Sequence, residues 1–231
     1  MQLSIRNDMR LAALYSGGKD STFALYLALQ MGHEIPYLVS IVPEAQESWI
    51  FHVPNIKIVP LMAESMGIEL VTAETSGSEE DDIRALSEAL SHLDIDGIVT
   101  GAVWSDYQWD KMNMVCGELG LKVLSPLWHK DQDTVLKEMI SAGIRATIIG
   151  CYAEGLDEPW LGREIDNKAA EELRSLRERY GISVIGEGGE YESLTTDSPM
   201  HSKPLEITEY EKEWKKGAGT LFVKKAHLSA R

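Results

Sequence analysis

Leu11-Ala12-Ala13-Leu14-Tyr15-Ser16-Gly17-Gly18-Lys19-Asp20-Ser21 is the stretch on which the reading of this chain turns. An apolar run of strand length gives way to a turn of small residues, and a helical pattern follows from about Thr22 to Gln30. Glycine at 17 and 18 permits torsions that other residues avoid and leaves room for a ligand against the backbone. The helix directs its unpaired N–H groups and the positive end of its dipole at that turn. The hydroxyls of Ser16 and Ser21 and the ammonium of Lys19 add to those donors, so the turn is predicted to hold phosphate. A Walker loop is excluded by spacing. It needs a glycine where Ala13 stands and a Ser or Thr directly after the lysine, where Asp20 stands.

Working outward, short apolar runs at 35–42, 69–73, 97–101 and 122–124 alternate with helical patterns ending near Met66 and spanning 79–93 and 108–119. That alternation predicts an α/β fold: a parallel five-stranded Rossmann-like (HUP-type) sheet with helices on both faces. Ligands in such sheets bind beyond the carboxyl ends of the strands, which brings Ser40 and Gly101 to the cleft of the phosphate turn. Past Pro126 the pattern loosens. Helices at 131–142 and 166–180 stand among short strands at 146–150, near 183, and at 191–195, 205–213 and 220–227. A smaller mixed α+β C-terminal domain is expected, dividing the chain into a nucleotide-binding domain, 1–125, and an acceptor-binding domain, 126–231.

The chain of 231 residues carries 22 Lys and Arg against 37 Asp and Glu, a formal charge of −15. A field of that sign repels polyanions, so nucleic acid is a poor candidate partner. The local exception is the lysine cluster Lys212, Lys215, Lys216, Lys224 and Lys225, read as a solvated surface with RNA docking as the alternative. No apolar run is long enough to cross a membrane, and residues 1–10 lack the pattern of a secretory signal. Two cysteines without paired spacing imply a reducing, cytoplasmic setting and no structural zinc; pairing into a homodimer stays open. Cys116 shares a helical face with Met112, Val115 and Leu119 and reads as core, leaving Cys151 as a weak nucleophile candidate.

Two runs in the second half do not read as scaffold. One is Glu154-Gly155-Leu156-Asp157 with Trp160-Leu161-Gly162-Arg163; the other is Gly186-Glu187-Gly188-Gly189-Glu190-Tyr191-Glu192. Three carboxylates so close together repel one another unless a cation or a set of donors meets them, which points to a site.

Ser16–Ser21 resembles the pyrophosphatase loop of N-type ATP pyrophosphatases, which adenylate an acceptor oxygen and release pyrophosphate. Glu187–Glu192, the Glu154 and Trp160 runs, and Glu47-Ser48 leading to His52-Val53-Pro54-Asn55-Ile56 resemble the diphthine–ammonia ligase family over nearly the whole chain. The resemblance implies ATP-dependent amidation of diphthine on translation elongation factor 2 with ammonium, using ATP and Mg2+. Lys19 is then assigned to phosphate charge and Asp20 to magnesium or to capping the helix. Ser16, Gly17, Gly18, Lys19, Asp20, Ser21, Ser40 and Gly101 would meet ATP. Tyr107, Gln108, Trp160, Arg163, Glu187, Gly188, Gly189, Glu190, Tyr191 and Glu192 would meet the acceptor, with Trp160 and Tyr191 as an aromatic wall for its trimethylammonium. Trp109, Lys111 and Asn113 stand where the family usually carries arginines and a glutamate. The rival readings are a tRNA-modifying enzyme using the same loop (thiolation or lysidine-type ligation) and a nucleotide sensor without turnover.

Overall fold

The centre of the molecule is β1 (Arg10–Leu14), whose Leu11, Ala12 and Ala13 are fully buried because both faces of the strand are covered. The structure, a computed structural model, describes residues 8–43 and 55–231. The Glu47-Ser48 and His52-Val53-Pro54 parts of the family signature lie outside the described residues. Strands β2 (Glu34–Pro43), β3 (Glu69–Thr75), β4 (Gly97–Val99) and β5 (Lys122–Leu124) join β1 in the order β3-β2-β1-β4-β5, all parallel. Growth of the sheet reverses between β1 and β4, so a crevice opens at their carboxyl ends.

Helices α1 (Lys19–Gln30) and α2 (Val59–Met66) cover one face, burying Phe23, Leu25 and Met62 with Leu11 and Ala13. On the other face α3 (Glu79–Ser91) and α4 (Asp106–Leu119) bury Leu86, Leu90, Met112 and Cys116 with Ala12. The helix ends follow local chemistry. Ser78 and Ser105 accept from the backbone N–H of Asp81 and Gln108 at the starts of α3 and α4, and Gly120 at φ 70° ends α4.

The second half forms a four-stranded antiparallel sheet from β6 (Arg145–Cys151), β7 (Tyr191–Asp197), β8 (Leu205–Lys215) and β9 (Ala218–Leu228), ordered β7-β6-β9-β8. Helices α5 (Gln132–Ser141) and α6 (Asn167–Tyr180) complete it. The apolar core on the α1 side of the first sheet continues into this half, where it holds Ile148, Leu173, Tyr191 and Leu221.

Two local expectations change. The predicted strand near 183 is absent, because its backbone groups are met by side chains: Ser183 N–H donates to Glu190, Val184 O accepts from the Tyr191 hydroxyl, and Ile185 O accepts from Lys19. Helix α1 begins at Lys19 and not at Thr22, with extended Gly18 before it and no side-chain cap, so Asp20 lies in the first turn and does not cap the helix. The C-terminal lysines lie on the β8–β9 hairpin and around its turn. Lys224 pairs with Glu211 at 2.8 Å and Lys225 with Glu209, so two of the five charges are met by acids within the fold, and Lys212 donates to Leu161 O.

Candidate active site

The phosphate turn of the first half rests on β7 of the second. Thr195 N–H donates to Gly17 O at 2.8 Å, Lys19 N–H donates to Ser193 Oγ at 3.2 Å, and the Thr22 and Thr195 hydroxyls meet at 3.0 Å. Gly17 adopts φ 79°, where a side chain would be strained, and a Cβ there would press on Met62 Sδ at 3.0 Å. Gly101 is required for a different reason. A Cβ on it would stand 2.7 Å from the backbone of Asp20 and Ser21, so the end of β4 packs directly against the start of α1.

A cavity of about 320 Å³ opens above this turn at the carboxyl ends of the strands. That is a volume suited to a small-molecule ligand. Ser16, Asp20, Ser21 and Gly101 line it from the first half, Gln108 from the start of α4, and Gly186, Glu187, Gly189 and Glu192 from the second half. The phosphate turn and part of the acidic loop therefore share one cleft. The Ser16 and Ser21 hydroxyls are 3.1 Å apart, and Asp20 and Ser21, in the first turn of α1, line the same space, while the Lys19 N–H is taken by Ser193.

Other sequence-predicted residues stand elsewhere. Lys19 is only 2% exposed and does not line the cavity. Its ammonium donates to Asp20 Oδ2 at 2.7 Å and to Ile185 O at 2.5 Å, and lies 4.9 Å from the centroid of the Tyr191 ring. Burial alone would lower its pKa, but the Asp20, Tyr191 and Glu192 charges hold it above the ordinary lysine range. Tyr191 is buried beneath that ammonium with its hydroxyl on Val184 O, so it offers no wall to a ligand. Trp160 is buried in the core with Arg163 stacked at 4.3 Å, and Arg163 is forked onto Glu172; neither lines the cavity. Ser40 is buried with its hydroxyl donating to Tyr15 O, while its neighbours Val39 and Ile41 line the cleft. Tyr107 is exposed beside Glu79, outside the lining.

The three carboxylates of the acidic loop have three different fates. Glu187 Oε1 accepts from the N–H groups of Val103, Trp104 and Ser105 at 3.2, 2.8 and 3.0 Å, filling a nest of donors at the head of α4. Burial pushes its pKa up, against those hydrogen bonds. Glu190 turns back on its own loop and accepts from Ser183 and Gly188 N–H, outside the cavity lining; Gly188 is exposed. Glu192 faces the cleft with no hydrogen bond or ion pair among the described residues. Burial raises its pKa to about 7 against the pull of Lys19, and Asp20 adds to the rise. Asp20 Oδ1 is buried with no hydrogen-bond partner. Among the described residues no group of three or more His, Cys, Asp or Glu side chains could hold a metal ion unaided.

Sequence reasoning missed the supports Ser193 and Thr195. They alternate with Leu194 on β7, a period-two pattern that placed them on one strand face without showing what lay opposite. Both cysteines are buried, which pushes the Cys116 thiol up to about 11 and that of Cys151 to about 12.

Residues 9–123 match the family model described as the diphthamide synthase N-terminal domain, and residues 131–228 match its C-terminal domain. A zebrafish (Danio rerio) diphthine–ammonia ligase is 34% identical over 221 residues, 86% of this chain and 86% of the relative. A human (Homo sapiens) protein of the same description is 34% identical over 226 residues, 88% of this chain and 84% of the relative. One from Schizosaccharomyces pombe is 33% identical over 223 residues, 88% of this chain but 37% of that longer relative.

Proposed function

The chain belongs to the diphthamide synthase family, whose two domain models it matches in order, and from that premise we propose that it amidates diphthine on translation elongation factor 2. ATP and ammonium are the co-substrates; AMP and pyrophosphate are the by-products. The observation that carries this reading is the shared cleft. The Ser16–Ser21 turn and the acceptor-side carboxylates Glu187 and Glu192 line one cavity, although more than 160 residues separate them in sequence.

A carboxylate resists direct amidation because its oxygen is a poor leaving group. The diphthine carboxylate therefore attacks the α phosphorus of ATP, the bond to the β phosphate breaks, and pyrophosphate leaves. Ammonia then attacks the acyl carbon, the C–N bond forms, and the bond to AMP breaks. The Ser16 and Ser21 hydroxyls and the backbone N–H groups of Asp20 and Ser21 hold the departing pyrophosphate; the Gly17 torsion shapes the turn, and Gly101 lets β4 pack against the start of α1. Lys19 supports the turn from beneath: it fixes Asp20 and ties α1 to Ile185. Asp20, with one carboxylate oxygen unpartnered and its side chain at the cavity wall, fits the sparse ligation that magnesium takes beside phosphates. When bound there, magnesium would supply charge neutralisation to the phosphates. Ammonium loses one proton on becoming a nucleophile and a second on forming the amide, and Glu192 is the cleft carboxylate available to attract it and accept a proton. We place the protein in the cytoplasm, where its free buried cysteines stay reduced.

Mass spectrometry of diphthine-bearing elongation factor 2, incubated with the protein, ATP and ammonium, tests this directly. Conversion of acid to amide with stoichiometric AMP is expected; an unchanged acceptor overturns the reading. The buried, high-pKa thiols speak against tRNA thiolation on the same loop.

A further inference from the structure

Trp104, His129, Trp128 and Trp109 form a ladder of rings beside the loop that borders the cleft, stacked at both ends and tilted by 31° between His129 and Trp128. Ring centroids lie 4.5 Å apart from Trp104 to His129, 4.6 Å from His129 to Trp128, and 5.4 Å from Trp128 to Trp109. The stack is built in deliberately. His129 takes φ 54°, a conformation rare for a residue with a side chain, and its N–H donates to Val103 O. The Trp104 indole N–H donates to Lys130 O at 3.2 Å. Trp104 ends the stack: His129 is its one ring neighbour among the described residues, and 45% of Trp104 is exposed. Its backbone N–H is held by Glu187 and its neighbours Ala102 and Ser105 line the cavity, which sets the residue beside the cleft.

The head of a helix ordinarily attracts anions, but here Glu187 already takes up the N–H groups of Val103, Trp104 and Ser105. Exposed Asp106 stands 3.9 Å from His129 Nε2, so acids flank the ladder. A flat, electron-poor or cationic ring suits such a surface, and Trp104 already stacks one imidazole on its His129 side. Resting on the ligase reading, in which the acceptor diphthine is a modified histidine of elongation factor 2, we propose that the open face of Trp104 stacks its imidazole. The substituent on that ring, bearing the carboxylate and the trimethylammonium, then extends past Glu187 toward Ser16 and Asp20. The ladder takes the place of the aromatic wall that Trp160 and Tyr191, both buried, do not supply.

The test is equilibrium binding of diphthine-bearing elongation factor 2 to wild-type protein, Trp104→Ala and Trp104→Phe, with ATP binding measured on each. Trp104→Ala should weaken acceptor binding roughly three- to tenfold. Trp104→Phe should restore most of it, since it keeps a ring while losing the indole hydrogen bond, and ATP affinity should be the same in all three. Acceptor affinity unchanged in Trp104→Ala, or a matching loss of ATP affinity, overturns the proposal, as does failure of the wild type to bind the acceptor. Ring-dependent binding without AMP release supports the stacking and removes the ligase reading.

Discussion

The two walls of the cleft are made in opposite ways. The Ser16–Ser21 wall is a backbone device: glycine torsions, helix N–H groups and short hydroxyls, all set within a few residues of one another. The Glu187–Glu192 wall is a set of carboxylates, and each takes its character from something distant. Glu187 depends on the head of α4, and Glu192 on its burial, with Lys19 and Asp20 as opposed charges nearby. The first wall offers donors by geometry; the second offers charge only where the fold withholds a partner. That contrast places the strongest cation of the turn, Lys19, beneath the site as a strut and leaves Glu192 as the acid that can still respond to a ligand.

The sharpest way to break this comparison is Lys19→Ala. If Lys19 is a strut, its loss leaves Asp20 and Glu192 without their buried counter-charge and costs about 3–5 kcal/mol in urea unfolding at pH 8. The cost should shrink at pH 5, where Glu192 is protonated. A free phosphate ligand would instead lose ATP affinity at unchanged stability.

Glu192→Gln sharpens the other wall. The Glu192 carboxyl titrates near 7 when folded, above its ordinary value of 4.5, so the folded state holds the proton more tightly than the unfolded state does. Its contribution to stability is therefore intact below pH 4.5, declines as pH rises toward 7, and is lost above. Glu192→Gln should remove that decline, which amounts to as much as about 3 kcal/mol, in protein free of nucleotide and metal. A pH dependence identical to the wild type would refute the assignment. The smallest effect belongs to Glu187→Gln. The amide oxygen still accepts from the nest, and burial already disfavours the charged form, so a change within about 1 kcal/mol is expected in the same unfolding assay. A loss as large as that of Lys19→Ala would make this loop, and not the strut, the main support of the cleft.

The same contrast explains what could be read in advance. The parallel sheet follows from alternating apolar runs and capped helices, and the tight strand-to-helix turn at Ser16–Ser21 from its glycines, because both are local properties. That Lys19 points down was not local: it follows from Ile185 O and Tyr191 arriving beneath α1. Glu187, Glu190 and Glu192 looked alike in sequence since each is an acid among glycines. Only the positions of α4, the loop at 183–188 and α1 tell them apart. Aromatic rings beside acids suit a cation, which makes Trp160 and Tyr191 resemble a ligand wall in sequence, but apolar burial and a neighbouring cation claim both.

The stitching of Gly17, Lys19 and Thr22 to Ser193 and Thr195 bears on the order in which the molecule comes into being. Synthesis delivers the phosphate turn early, but the strand that braces it emerges from the ribosome some 170 residues later. A nascent chain can therefore assemble most of its first sheet while its nucleotide cradle still lacks a floor. The turn reaches its braced form only once the second half of the chain has been made.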